Sequence, residues 1–117
     1  MSSTYSTGLF SEWVARWYLR LRGWQILESR YITGRYTGRA EIDIIACRGN
    51  IMIFIEVKNR KQAEQAVRAV TTTQRTRLKK AAIAYMSRCG WQGDARFDIM
   101  IVRGLRVIWL RGAISGG

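Results

Sequence analysis

Apolar residues recur at helical spacing over residues 9–22, and Gly23 stands where a left-handed C-cap is expected. Residues 24–32 alternate and read as a strand, and the polar, basic run TGRYTGR that follows reads as a loop. Two strongly apolar segments come next, over about residues 41–47 and 51–58. The Gly49-Asn50 pair between them signals a two-residue β-hairpin turn. Residues 59–70 are polar and are expected to mix loop with a short helix. Thr71-x-x-Gln74 fits a capping box that opens a second helix to about Cys89, with Leu78, Ala82, Tyr85 and Met86 on one stripe. RFDIMIV and LRVIWL are the last strands, with Arg103-Gly104 near their turn. The order α-β-β-β-α-β-β predicts an α/β fold with a mixed sheet. A length of 117 residues suits one domain, with a core over about 8–110 and short flexible termini.

The polar positions inside the apolar hairpin do not fit a plain core. With Gly49 and Asn50 as the turn, Arg48 pairs with Ile51. Counting outward then sets Asp43 opposite Glu56 and Glu41 opposite Lys58, all four on one face. Directly opposed residues lie about 4.5–5.5 Å apart, Cα to Cα. Two carboxylates so placed repel by roughly 3–4 kcal/mol at an effective dielectric near 20. Lys58, a bound cation or proton uptake would compensate. Met52 and Phe54 share the face, which points to a cleft. The plain alternative is a solvated strand face, on which Glu-x-Lys is commonplace.

The first helix carries two stripes. Phe10, Trp13, Val14, Trp17 and Leu21 form one; Gly8, Glu12, Ala15 and Leu19 form the other, on the opposite side. Either could face the sheet.

Charge and composition narrow the chemistry. Twenty Lys and Arg against eight Asp and Glu give a net charge of +12, which favours a polyanionic partner, nucleic acid above all. Arg35 and Arg39 precede Asp43, and Arg60 and Lys61 follow Lys58, so these four bracket the candidate site as phosphate contacts should. Arg75, Arg77, Lys79 and Lys80 crowd the second helix, either as further contacts or as a solvated face. No histidine is present, which excludes Ser-His-Asp triads and histidine metal sites. Cys47 and Cys89 are too few for a structural zinc site, and Cys47 is expected to be buried. Any metal would be held by carboxylate oxygens, which points to Mg²⁺ or Mn²⁺. No apolar run reaches membrane-spanning length and the N-terminus lacks signal-peptide features, so a cytoplasmic protein is expected.

EID and FIEVKNR, with twelve residues between Asp43 and Glu56, resemble the Asp…Glu-x-Lys motif of the PD-(D/E)xK nuclease superfamily. More closely, the chain resembles the YraN-like family of predicted endonucleases, related to Holliday-junction resolvases, over roughly residues 8–102. GLFSEWVARWYLRLRGW, GRAEIDIIA, TTTQRTRLKKAAIAYM and RFDIMIV carry the likeness with the two motifs above. It implies a restriction-endonuclease-like core, a central sheet flanked by helices, and hydrolysis of DNA, branched or structured DNA included. It implies Asp43 and Glu56 as ligands of Mg²⁺ or Mn²⁺, Lys58 as an aid to the attacking water, and Glu12 as a further acid completing the catalytic set. Glu12 then faces the sheet, and the aromatic stripe is left for the C-terminal VIWL segment or for a homodimer through Phe10, Trp13 and Trp17. Ala40 stands where the family usually has Gly, and Gln74 where it often has Lys or Arg. The alternatives are a nuclease fold that binds nucleic acid without cutting it, and an adaptor that docks a protein on the aromatic helix.

Overall fold

The structure, a computed structural model, describes residues 3–33, 40–59 and 72–113. Their elements are α1 (Ser3–Leu21), β1 (Gln25–Thr33), β2 (Ala40–Arg48), β3 (Ile51–Asn59), α2 (Thr72–Cys89), β4 (Asp94–Arg103) and β5 (Arg106–Leu110). The order is the expected one. α1 starts well before the apolar stripe does, because its polar first turns carry no periodic signal.

Gly23 ends α1 with a left-handed φ of 86°. The Trp24 N–H donates to the Leu19 carbonyl at 3.0 Å and the Gly23 N–H to the Arg20 carbonyl at 3.1 Å, the double bond of a Schellman motif. Leu19 and Trp24 are buried in the same core cluster, so the apolar contact that accompanies this cap also aims the chain into β1.

The strands form one sheet in the order β1-β2-β3-β4-β5. Three neighbouring pairs are antiparallel; β3 and β4 are parallel, and the chain passes between them through α2. Each face carries a core. α1 supplies Val14, Ala15 and Leu19, which pack on Ile44, Ala46, Ile53, Ile55, Val57, Met100 and Val102. On the other face α2 supplies Ala81, Ala82 and Tyr85 against Ala40, Ile42, Ile45, Met52 and Phe54. The hairpin is thus buried on both sides, which explains its near-continuous apolar sequence. Each fully buried Ile, Leu or Phe contributes about 1.5–3 kcal/mol relative to exposure. Cys47 is only half-buried, near the end of β2, and Cys89 is exposed.

The closing strands are pinned by a carboxylate. Asp98 on β4 is 0% exposed. It accepts hydrogen bonds from Arg96 Nε at 2.8 Å and Nη2 at 2.9 Å, from Trp109 Nε1 at 2.7 Å and from the Gly112 N–H at 2.8 Å. Burying an isolated carboxylate would cost several kcal/mol; four donors and one cation offset that. Trp109 also meets Trp24 edge-on, with centroids 5.6 Å apart.

Candidate active site

The hairpin register is the expected one near the turn. Gly49, with φ 58°, takes the first central position, and β2 and β3 pair from Arg48–Ile51 out to Ile44–Ile55. There the ladder stops, one step before Asp43 and Glu56 would face each other. Continued, this register would hand the Val57 N–H to the Ile42 carbonyl. Instead it donates to Asp43 Oδ2 at 2.8 Å. On the other side the β1–β2 register pairs Ser29 with Ile44 and Tyr31 with Ile42, passing over Arg30 and Asp43. Asp43 therefore stands just past the end of the β2–β3 ladder, while the β1–β2 register runs on unshifted across it and slips only between Ile26 and Glu28.

The alternation of side chains breaks at the same place. Ala40 and Ile42 pack under α2, whereas Ile44 and Ala46 pack under α1. Strict alternation would send all four to one face. The expected single face for Glu41, Asp43, Glu56 and Lys58 thus does not hold: Glu41, next to Ile42, turns off the α2 face and is exposed. Alternation on β3 is intact, so Glu56 and Lys58 continue the row of Met52 and Phe54. The matching irregularity on β1 is Arg30, the one non-glycine residue among those described with a left-handed φ, 54°. That conformation costs about 1–2 kcal/mol for an L-residue.

Arg30 also holds Glu12. Its Nε lies 2.9 Å from Glu12 Oε1, and its Nη2 donates to Oε2 at 3.2 Å. Glu12 is 8% exposed and points inward with Ala15 and Leu19, on the stripe that the resemblance assigns to the sheet. Glu56 Oε1 and Lys58 Nζ form a second ion pair at 3.0 Å.

Burial pushes the Asp43 carboxyl up to about 7. The Val57 N–H bond opposes that rise, and the charges of Glu12, Glu56 and Glu41 add to it. Asp43 is the focus of the cluster: a carboxylate short of positive charge, within the field of three other acids. Among the described residues no group of three or more Asp, Glu, Cys or His is gathered to hold an ion by side chains alone. Asp43 and Glu56, the latter already paired with Lys58, are the carboxylates that could hold a cation, with water completing its shell. That suits Mg²⁺, which keeps several waters, better than a fully dehydrated ion.

Arg35, Arg39, Arg60 and Lys61 lie outside the described residues, as does the expected cap Thr71 and the whole of 60–71. Arg75 belongs to α2, but its side chain is not among those described; Arg77 and Lys80 are exposed. Phe10, Trp13 and Trp17 are 46%, 48% and 46% exposed on the outer side of α1. The VIWL segment does not cover them; its Trp109 packs against Tyr18 and Trp24 instead. Arg30 is not marked by the sequence pattern. Neither a left-handed strand residue nor an ion pair to a helix 18 positions away leaves a local signal.

No helix among the described residues is long and apolar enough to cross a membrane. Residues 11–102 match the model of a family described as uncharacterised protein family UPF0102. A UPF0102 protein of Paramagnetospirillum magneticum is 38% identical over 101 residues, covering 81% of this chain and 75% of its own. One from Rhizorhabdus wittichii is 39% identical over 97 residues, covering 82% and 79%. A third, from Cytophaga hutchinsonii, is 36% identical over 99 residues, covering 83% and 84%. The end of the β2–β3 ladder at Asp43, the Glu56–Lys58 pair and the inward Glu12 all fall within the matched span, and the chain belongs to the UPF0102 family.

Proposed function

We propose that this protein is a metal-dependent endonuclease that hydrolyses phosphodiester bonds in DNA, branched or structured DNA included. The observation that carries the reading is Asp43, set just past the end of the β2–β3 ladder and pushed up to about 7 by burial and by neighbouring acids. An acid raised in this way lowers stability at neutral pH, which supports a role for it in ion binding or chemistry. Asp43 and Glu56 would hold Mg²⁺ or Mn²⁺. A bound divalent ion would supply a Lewis acid for the phosphoryl oxygens and neutralise the charge between the carboxylates. The Val57 N–H fixes one Asp43 oxygen, and the other would be the one offered to the ion. Lys58, 3.0 Å from Glu56, orients the attacking water or stabilises charge on the phosphate. Glu12, steered by Arg30, adds negative charge from the α1 side. The +12 net charge draws the polyanion to this surface.

A second reading has its own support. Glu12 is matched by Arg30 and Glu56 by Lys58, so much of the site's charge is neutralised internally. A nuclease fold that binds nucleic acid without cutting it would look this way. Incubation of branched, flapped and single-stranded DNA with Mg²⁺ or Mn²⁺ separates the two, with Asp43→Ala and Lys58→Ala as controls. Cleavage lost in both variants supports the nuclease. Cleavage that survives both rejects the site, and binding without cleavage by the unaltered protein selects the second reading.

A further inference from the structure

The outer face of α1 takes no part in the site at Asp43. It runs along Phe10, Trp13, Trp17 and Leu21, each 46% or more exposed. Phe10 and Trp13 are already stacked, with centroids 5.9 Å apart and planes 25° from parallel. Trp17 carries the Arg20 guanidinium 5.5 Å from its ring centroid. At 1.5 Å rise per residue, Phe10 to Trp17 spans roughly 10 Å, the length of about three stacked nucleotides at 3.4 Å each.

The charges on this helix all have one sign where they meet solvent. Arg20 and Arg22 are exposed and Arg16 is half-buried. The only acid between residues 8 and 22, Glu12, is turned inward and matched by Arg30. A surface of aromatic rings interleaved with arginines and lacking exposed acids complements a ligand with flat π-faces and a phosphate backbone. It does not complement a second copy of a chain carrying +12, whose own arginines would meet these. We infer that the outer face of α1 is a stacking platform for a single-stranded nucleic-acid segment, bases on Phe10, Trp13 and Trp17, phosphates near Arg16 and Arg20. Every base has a π-face, so the platform is indifferent to sequence. Whether the Asp43 site cleaves does not bear on this binding.

Fluorescence anisotropy of a short labelled oligo(dT) and of a labelled duplex hairpin, at about 50 mM and about 200 mM salt, tests it. Trp13→Ala/Trp17→Ala should weaken oligo(dT) binding roughly tenfold or more and leave hairpin binding unchanged. Arg20→Ala should weaken oligo(dT) binding and reduce its salt dependence by about one phosphate contact. Unchanged oligo(dT) affinity in the double variant overturns the inference, as does an equal loss for the hairpin. A dimer in sedimentation without nucleic acid, made monomeric by Trp13→Ala/Trp17→Ala, overturns it in favour of self-association. Should the double variant fail to fold, iodide quenching of the unaltered protein decides. Shielding of tryptophan by oligo(dT) supports the platform, and no shielding overturns it.

Discussion

Replacing Asp43 by Asn tests the electrostatic core of the site through stability, with no substrate needed. The Asp43 carboxyl lies near 3.8 in an unfolded chain and is raised to about 7 in the folded protein. Between these values the folded state keeps a proton that the unfolded state has lost. Stability therefore falls as pH rises through this window, and it is fully retained only below it. A rise from 3.8 to about 7 corresponds to about 4 kcal/mol, a large share of a small domain's total. Asn has nearly the same shape, still accepts from the Val57 N–H, and offers its amide group to the neighbouring carboxylates. Asp43→Asn should match the unaltered protein near pH 4 and exceed it by roughly 2–4 kcal/mol near pH 8.

Urea unfolding at several pH values measures this directly, through the shift in midpoint at constant slope. The chain has no histidine, so few groups other than Asp43 titrate between about pH 5 and 8, and the background slope is small. Equal stability of the two proteins at pH 8, or a parallel decline in both, would refute the reasoning. A site that weakens its own fold at neutral pH is the usual mark of a group kept for chemistry or ion binding.

Three further outcomes follow from the same geometry. Mg²⁺ at pH 8 should raise the urea midpoint of the unaltered protein, by about 2.7 kcal/mol at a hundredfold excess over its dissociation constant, and should not affect Asp43→Asn. Arg30→Ala should destabilise by about 1–3 kcal/mol because Glu12 stays buried without its partner. Arg30→Gly should lose less, by about 1 kcal/mol, since it relieves the left-handed φ; thermal melts of both variants check the order. Asp98→Asn should lose about 2–4 kcal/mol, because an amide cannot accept from Arg96, Trp109 and Gly112 together.

The fold was largely legible because its signals are local. The 3.6 period of α1, the Gly49-Asn50 turn and the apolar runs of β2 and β3 each act within a dozen residues. Within the site, the turn set the register correctly as far as Ile44–Ile55. Beyond that pair the Asp43 side chain takes the Val57 N–H in place of the Ile42 carbonyl, and Arg30 and Glu12, 13 and 31 positions from Asp43, come near only through the folded sheet and helix. Counting outward from a turn assumes that alternation continues, and nothing in AEIDIIA announces that it fails at its fourth residue.

The two strand aspartates, Asp98 buried and Asp43 half-buried, show what a local pattern cannot carry. EIDII and RFDIM each set one Asp among apolar strand residues, and each could be read as a site residue or a strand oddity. Asp98 meets an arginine two positions away on its own strand, a tryptophan on β5 and a backbone N–H beyond it. Its charge is matched, and it works as a clasp on the end of the chain. Asp43 meets one backbone N–H and the charges of three acids. Its charge is left over. The same substitution, Asp to Asn, should therefore move stability in opposite directions at the two positions at pH 8. The sign of the change distinguishes an acid that holds the fold from one that the fold holds for a ligand.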